Sequence, residues 1–406
     1  MSLPPFHPFG LEYTADPRPY FAEFHKTNEL VFIEDMNAVA VHGYDAVRAF
    51  CDHPSLSRNP AQAITVDPET KAKRVARWPM IEGAMTADTM QTEEGMSLTR
   101  ELLAPDFRPG MIRKMSSTVH DVVAKVCAPL QFERELDIVN LVQEVPLRVI
   151  SSLLGIDESS QDAEVFLTAA PAFFRGINGL ASDELRDEAE VAAQHMFGVL
   201  GATVEARKKN PQTDMISQVL EIGKDLDGVT PDEIIRALVI LVAAGTDTTR
   251  LSTSLAAKTL LSHPDQFDAL RADRDGVKNA VMEFLRYESP TKFLVRVATE
   301  DFEWEGQTVP SGTIALLSIF GAGWDPRAFE NPSQFDLKRD LKGSLSFGFG
   351  SGYCLGVHLA RLQVGEIVQF FLDHLPSSAE VDFDGITWDS RNLMLREITR
   401  MPVRVR

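Results

Sequence analysis

Cys354 is the residue whose type and setting most directly imply chemistry. It lies in Phe347-Gly348-Phe349-Gly350-Ser351-Gly352-Tyr353-Cys354-Leu355-Gly356, one sulfur among four glycines, with a helical pattern following from Val357 to Phe371. The thiolate is the metal-binding form of cysteine, and a helix N-terminus favours it. Glycine lets a backbone approach a ligand closely and take conformations that a Cβ forbids. Phe347 and Phe349 add apolar bulk. Cys354 is therefore a candidate metal ligand, although a lone loop cysteine is more often a small buried hydrophobe. Cys354 and His358 alone are too few ligands for a zinc site.

A second polar cluster, Ala243-Ala244-Gly245-Thr246-Asp247-Thr248-Thr249, interrupts an apolar helical pattern. Gly, Thr and Asp are poor helix formers, and threonine hydroxyls bend helices by bonding backbone carbonyls. Such an interruption costs stability and marks either a functional groove or a helix end with Thr and Asp as caps. Glu283 and Arg286, spaced i, i+3, share a helix face; alone, such a pair is usually a surface ion pair worth little. Arg296 is embedded in the extended apolar run Phe293-Leu294-Val295-Arg296-Val297 and reads by itself as an edge-strand charge. Arg100 reads by itself as a solvated helix residue.

The elements that must position these groups follow from periodicity. Leu30–Ile33 and Ala38–Val41 predict a hairpin, and Tyr44 to about Asp52 a helix. Residues 55–92, with Pro60, Pro68, Pro79 and Gly83, are weakly patterned and read as a long irregular segment. Helical patterns cover Gly95–Leu103, Met111–Cys127, Ile138–Leu153 and a zone from Gln161 to Lys208. Thr230-Pro231-Asp232-Glu233 is an N-cap, a proline at the first helical position and a capping-box glutamate. The run Ile234–Ala244 is apolar nearly all round, so that helix, continuing to about Leu261, is buried. Short strands are expected over 301–319 and again over Val381–Val403, with a proline-rich meander between Trp324 and Asp340.

The chain has 406 residues and a net charge of 40 − 59 = −19, which argues against general binding to nucleic acid or an anionic membrane. Three widely spaced cysteines, Cys51, Cys127 and Cys354, imply no disulfide framework and favour a reducing compartment. The N-terminus lacks the basic start and apolar run of a signal peptide. The most apolar stretch, broken by Arg236, is too short for the roughly 20 residues of a membrane span. A soluble, cytoplasmic protein is expected.

The pattern Phe-Gly-x-Gly-x-x-x-Cys-x-Gly resembles the haem-binding loop of the cytochrome P450 family, in its bacterial, soluble, ferredoxin-dependent form. In that family the cysteine is the axial thiolate ligand of haem iron. The resemblance runs from about Asp16 to the C-terminus. It implies a mainly α fold with small β-sheets, with haem b (iron protoporphyrin IX) between the long central helix and the cysteine-loop helix. A single domain over 1–406 is expected, β-rich at about 28–42, 293–319 and 381–406. Phe347, Gly348, Cys354, Gly356 and Ala244 fall at haem-contacting positions. Asp247 and Thr248 match the family's acid–alcohol pair for proton delivery. Arg100 and Arg296 match the two arginines that bind the haem propionates, and Glu283 with Arg286 match its buried structural brace. The substrate pocket is expected to draw on Trp78, Met85, Phe173, Phe293, Leu294, Val295 and Met394.

Three positions depart from the family. Met96 and Gly352 stand where histidines usually bind propionates, and Gln334 where the meander commonly has an arginine. The activity implied is insertion of one oxygen atom from O2 into an apolar small molecule, with electrons from a separate ferredoxin-type donor. A peroxide-driven or ring-forming haem oxidase and a non-catalytic haem-binding sensor are the alternatives.

Overall fold

The computed structural model describes residues 5–27, 30–59, 67–85, 92–177 and 181–405. Helices dominate and the sheets are small. Packing divides the chain into two compact units, residues 1–63, 123–143 and 248–406 in the first, 64–122 and 144–247 in the second.

The first unit holds the sheets. Its largest has five strands in the spatial order Leu30–Ile33, Ala38–Val41, Ile314–Ser318, Phe293–Ala298, Leu56–Ser57. The expected hairpin is present, with Leu30 opposite Val41 and Ile33 opposite Ala38. Ala38–Val41 runs parallel to Ile314–Ser318, and the remaining pairs are antiparallel. Val39 and Val41 enter one apolar cluster while Ala38 and Ala40 enter another. Both faces of Ala38–Val41 are therefore covered, which explains its continuous rather than alternating apolar sequence. The helix after Cys354, Val357–His374, packs on Val277–Tyr287, which carries Glu283 and Arg286.

The second unit is helical. Residues 55–92 do not form one irregular segment: Pro68–Arg77 and Pro79–Met85 are helices. The first starts at Asp67, whose carboxylate accepts from the Thr70 N–H at 2.9 Å, and it buries no residue. A helix without a buried face leaves no apolar period to read, which is why the sequence pattern misses it. The Met111–Cys127 pattern breaks at Met115 into Pro109–Lys114 and Ser116–Val126. The long helical zone resolves into Gln161–Gly176 and Asp183–Lys209, packed together.

Pro231–Leu261 is one helix of 31 residues, its stretch up to Asp247 belonging to the second unit and from Thr248 to the first. The Thr230 hydroxyl accepts from the Glu233 N–H at 3.2 Å, as its capping pattern predicts. Gly245 and the threonines do not interrupt it. The Thr246 hydroxyl donates to the Val242 carbonyl at 2.7 Å, so its polarity is satisfied one turn back. At Gly245 a Cβ would come within 2.8 Å of Ile150 Cδ1, so glycine there lets Ile150 pack on the helix backbone. Among the described residues, no helix is long and apolar enough to cross a membrane.

Candidate functional site

The cysteine loop is shaped by backbone conformations that favour glycine. Gly348 and Gly350 have φ of 75° and 66°, the left-handed region. The Gly348 N–H donates to the Leu345 carbonyl at 2.8 Å, and the Tyr353 N–H to Gly350 at 3.1 Å. The loop closes where the Cys354 N–H donates to the Phe347 carbonyl at 2.9 Å. Gly356 then precedes the helix Val357–His374. Cys354 is half-buried, whereas Cys51 and Cys127 are fully buried. Burial pushes the Cys127 thiol up to about 12, where it is no ligand at neutral pH.

The donor set decides what kind of metal Cys354 can take. Among the described residues, no group of three or more His, Cys, Asp or Glu side chains could hold a metal ion. One thiolate cannot satisfy a bare ion, so a metal here must bring its other ligands in a prosthetic group. Haem fits that requirement. Its acidic edge needs cations, and one is beside the loop. The Arg296 side chain is buried, and its Nη2 lies 3.2 Å from where a Cβ on Gly352 would stand. The same guanidinium donates to the Cys51 carbonyl from Nη2 at 3.2 Å and to Val295 from Nη1 at 2.9 Å.

The pleat of Phe293–Ala298 sorts the neighbours of Arg296 and corrects one expectation. Phe293 and Val295 enter the cluster that contains Tyr13; the Phe293 ring is fully buried and stacks on Tyr13, with centroids 5.7 Å apart and planes 3° apart. Leu294 belongs to the opposite cluster, and its Cδ1 lies 3.7 Å from the Cβ position of Gly348. Side chains alternate across a strand, so Leu294 shares the loop side with Arg296, and Phe293 and Val295 do not.

Ala244 is exposed at the middle of the long helix, and Asp247 and Thr248 are half-buried. Adjacent helix positions do not face each other. Arg100 is exposed on Glu93–Leu103, one turn beyond the half-buried Met96.

Two other pocket candidates serve packing. The Trp78 indole is buried and donates to Asp187 at 2.8 Å, with the Arg77 and Arg186 guanidinium carbons 4.8 and 5.3 Å from its ring centroid. Phe173 is buried edge-on against Phe174 and Phe197. Met394 is exposed, and its carbonyl accepts from the Lys292 N–H at 2.8 Å. The side chain of Met85 lies outside the described residues.

Glu283 and Arg286 form a fully buried bidentate pair, with contacts of 2.7 and 2.8 Å. Two participants escape sequence reading. Arg339 joins Glu283, and Arg58 reaches the cysteine loop, its Nη1 donating to the Ser351 carbonyl at 3.3 Å. No local spacing announces either, because each meets its partner across a long stretch of chain.

The family model described as "Cytochrome P450" matches residues 38–377. The 6-deoxyerythronolide B hydroxylase of Saccharopolyspora erythraea is 29% identical over 381 residues, 91% of this chain and 90% of that one. The "Biotin biosynthesis cytochrome P450" of Bacillus subtilis is 31% identical over 306 residues, 75% of this chain and 76% of that one. The crystal structure of epothilone D-bound cytochrome P450epoK superposes with a TM-score of 0.87 at 23% identity, covering 100% of both chains, a likeness of fold.

Proposed function

This chain belongs to the cytochrome P450 family of oxidoreductases, and we propose that it is a haem-thiolate monooxygenase acting on an apolar small molecule. It takes electrons from a separate ferredoxin-type donor and works in the cytoplasm, a reducing compartment that suits three free cysteines. The observation that carries the reading is the cysteine loop: a half-buried thiol at the head of a helix, with a buried arginine against the neighbouring glycine.

Haem, when bound, supplies the iron at which dioxygen is reduced and split. The protein's part is to hold and to supply protons. Cys354 would ligate from the head of its helix, and Arg296 and Arg100 would pair with the haem carboxylates, for which a guanidinium fork is well matched. With haem bound, the Thr248 hydroxyl would serve as a hydrogen-bond donor and the Asp247 carboxylate would pass protons inward through water.

The test is the visible spectrum of the purified protein titrated with terpenoids, steroids, fatty acids, aromatics and macrolactones, the last because one relative is named as a hydroxylase of such a compound. A compound that shifts the haem band is then turned over under isotope-labelled dioxygen with ferredoxin and its reductase. One labelled oxygen in the product is the expected result. Unlabelled product, or product formed with peroxide but never with O2 and reductant, overturns the monooxygenase reading.

A further inference from the structure

We propose that Arg58 is a further carboxylate-binding residue of the haem site, beside Arg296, filling the role left empty by glycine at position 352. The proposal rests on the haem reading above. An ideal Cβ on Gly352 would meet two arms from distant segments, Arg296 Nη2 at 3.2 Å and Arg58 Cδ at 3.8 Å. The space that a side chain on this loop position would use is therefore bordered by two arginines. Arg58 follows the edge strand Leu56–Ser57, and its Nη1 donates to the Ser351 carbonyl at 3.3 Å, one residue before the glycine.

The charge balance around Gly352 points the same way. An anion at this loop is Asp52, which accepts from the Ser351 hydroxyl at 2.8 Å and from its N–H at 3.3 Å. Those bonds hold the Asp52 carboxyl below its ordinary range, and Arg58 and Arg296 lower it further. One carboxylate faces two guanidinium groups, and Arg48 adds a third positive charge over the Phe349 ring at 4.6 Å. These three guanidinium groups gather at one loop of a chain of net charge −19. A planar guanidinium matches a carboxylate in geometry, and the carboxylates of the porphyrin edge are the anions that the haem reading brings to this loop.

The test strips haem from the protein and rebuilds it with iron protoporphyrin IX or with its dimethyl ester, which has no carboxylate charge. Wild type, R58K, R58Q and the double variant R58Q/G352H are compared by the rate at which porphyrin passes to a scavenging apoprotein. The expected result is about tenfold faster loss of haem from R58Q, near the strength of a charge-assisted hydrogen bond, with R58K between. With the ester, wild type and R58Q should lose porphyrin at nearly equal rates. The histidine in R58Q/G352H should restore part of the haem retention. If R58Q speeds loss of haem and ester by the same factor, Arg58 only holds the Ser351 carbonyl and the proposal is overturned. Equal rates for wild type and R58Q with haem also overturn it. A wild type that takes up no haem sinks the haem reading itself, a distinct outcome.

Discussion

Arg339 and Glu283 form a buried ion pair, Nε to Oε1 at 3.2 Å, on the same carboxylate oxygen that accepts from Arg286 Nη2 at 2.8 Å. The Asp336 N–H adds a third donor to that oxygen at 3.0 Å. Gln334, standing where the family commonly has an arginine, contributes only its carbonyl, which accepts from Arg286 at 3.3 Å and Arg339 at 2.9 Å. The brace is thus completed by an arginine from five residues further along. Removing one partner of a buried charge network leaves the rest uncompensated. Arg339→Ala is expected to lower stability by about 2–3 kcal/mol, read as a lower urea midpoint. A loss below about 0.5 kcal/mol, the range of an ordinary surface substitution, would show that Arg286 suffices.

Glu190 on the helix Asp183–Lys209 caps a neighbouring helix from the side. Its carboxylate accepts from the N–H groups of Met80 at 2.8 Å and Ile81 at 3.0 Å, in the first turn of Pro79–Met85. Those N–H groups have no partner within their own helix. Glu190→Ala leaves both without their acceptor, and the expected loss is about 1–3 kcal/mol. Amide exchange should quicken at Met80 and Ile81. Unchanged exchange at those two amides would mean that solvent replaces the carboxylate without loss.

Lys292 gives stability a pH dependence. It is buried and donates to the Pro8 carbonyl at 3.2 Å and the Thr14 hydroxyl at 3.3 Å, both neutral acceptors. Burial, and then the charge of Arg396, push its amine down to about 7 from an ordinary 10.5. Its folded pKa lies below its unfolded one, so between these values the unfolded chain binds more protons. Stability then rises with pH from about 7 to about 10.5 and is lost as pH falls through that window. The slope from this group is at most about 1.4 kcal/mol per pH unit. Lys292→Met should remove it, so that wild-type stability gains on the variant's as pH rises from 7 to 10. A constant difference across urea titrations in that range would show that the lysine does not titrate there.

How much of this was legible depends on the distance over which each signal acts. The cysteine loop and the start of Pro231–Leu261 are local patterns of glycine spacing and capping, readable in a few residues. The strand parity that separates Phe293 and Val295 from Leu294 and Arg296 is equally local, a period of two along Phe293–Ala298. The helix Pro68–Arg77 left no mark because it buries nothing. Trp78 could not be placed because its partner Asp187 lies 109 positions away. Arg58 and Ser351 are 293 positions apart, and only the folded first unit brings them together.

Thr248 is singled out among its neighbours by exposure. Thr246 and Thr249 are 4% and 2% exposed, and the Thr246 hydroxyl is committed to the Val242 carbonyl, whereas Thr248 is half-buried beside Asp247. At roughly 100° per residue around the helix, Thr246 and Thr249 share one buried face, and Thr248 lies on another that is only partly covered. Thr248→Ala should leave electron consumption largely intact while product per electron pair falls. Thr248→Ser, which keeps a hydroxyl, should retain most of the coupling, and Thr246→Ala should leave it unaltered. If Asp247 carries protons as proposed, Asp247→Asn should slow turnover by roughly 10²-fold. The measurement is product formed against reductant consumed, with a turnover substrate found in the spectral titration. Full coupling in Thr248→Ala would remove the hydroxyl from proton delivery, and loss of coupling in Thr246→Ala would show that helix geometry, not the Thr248 hydroxyl, controls it.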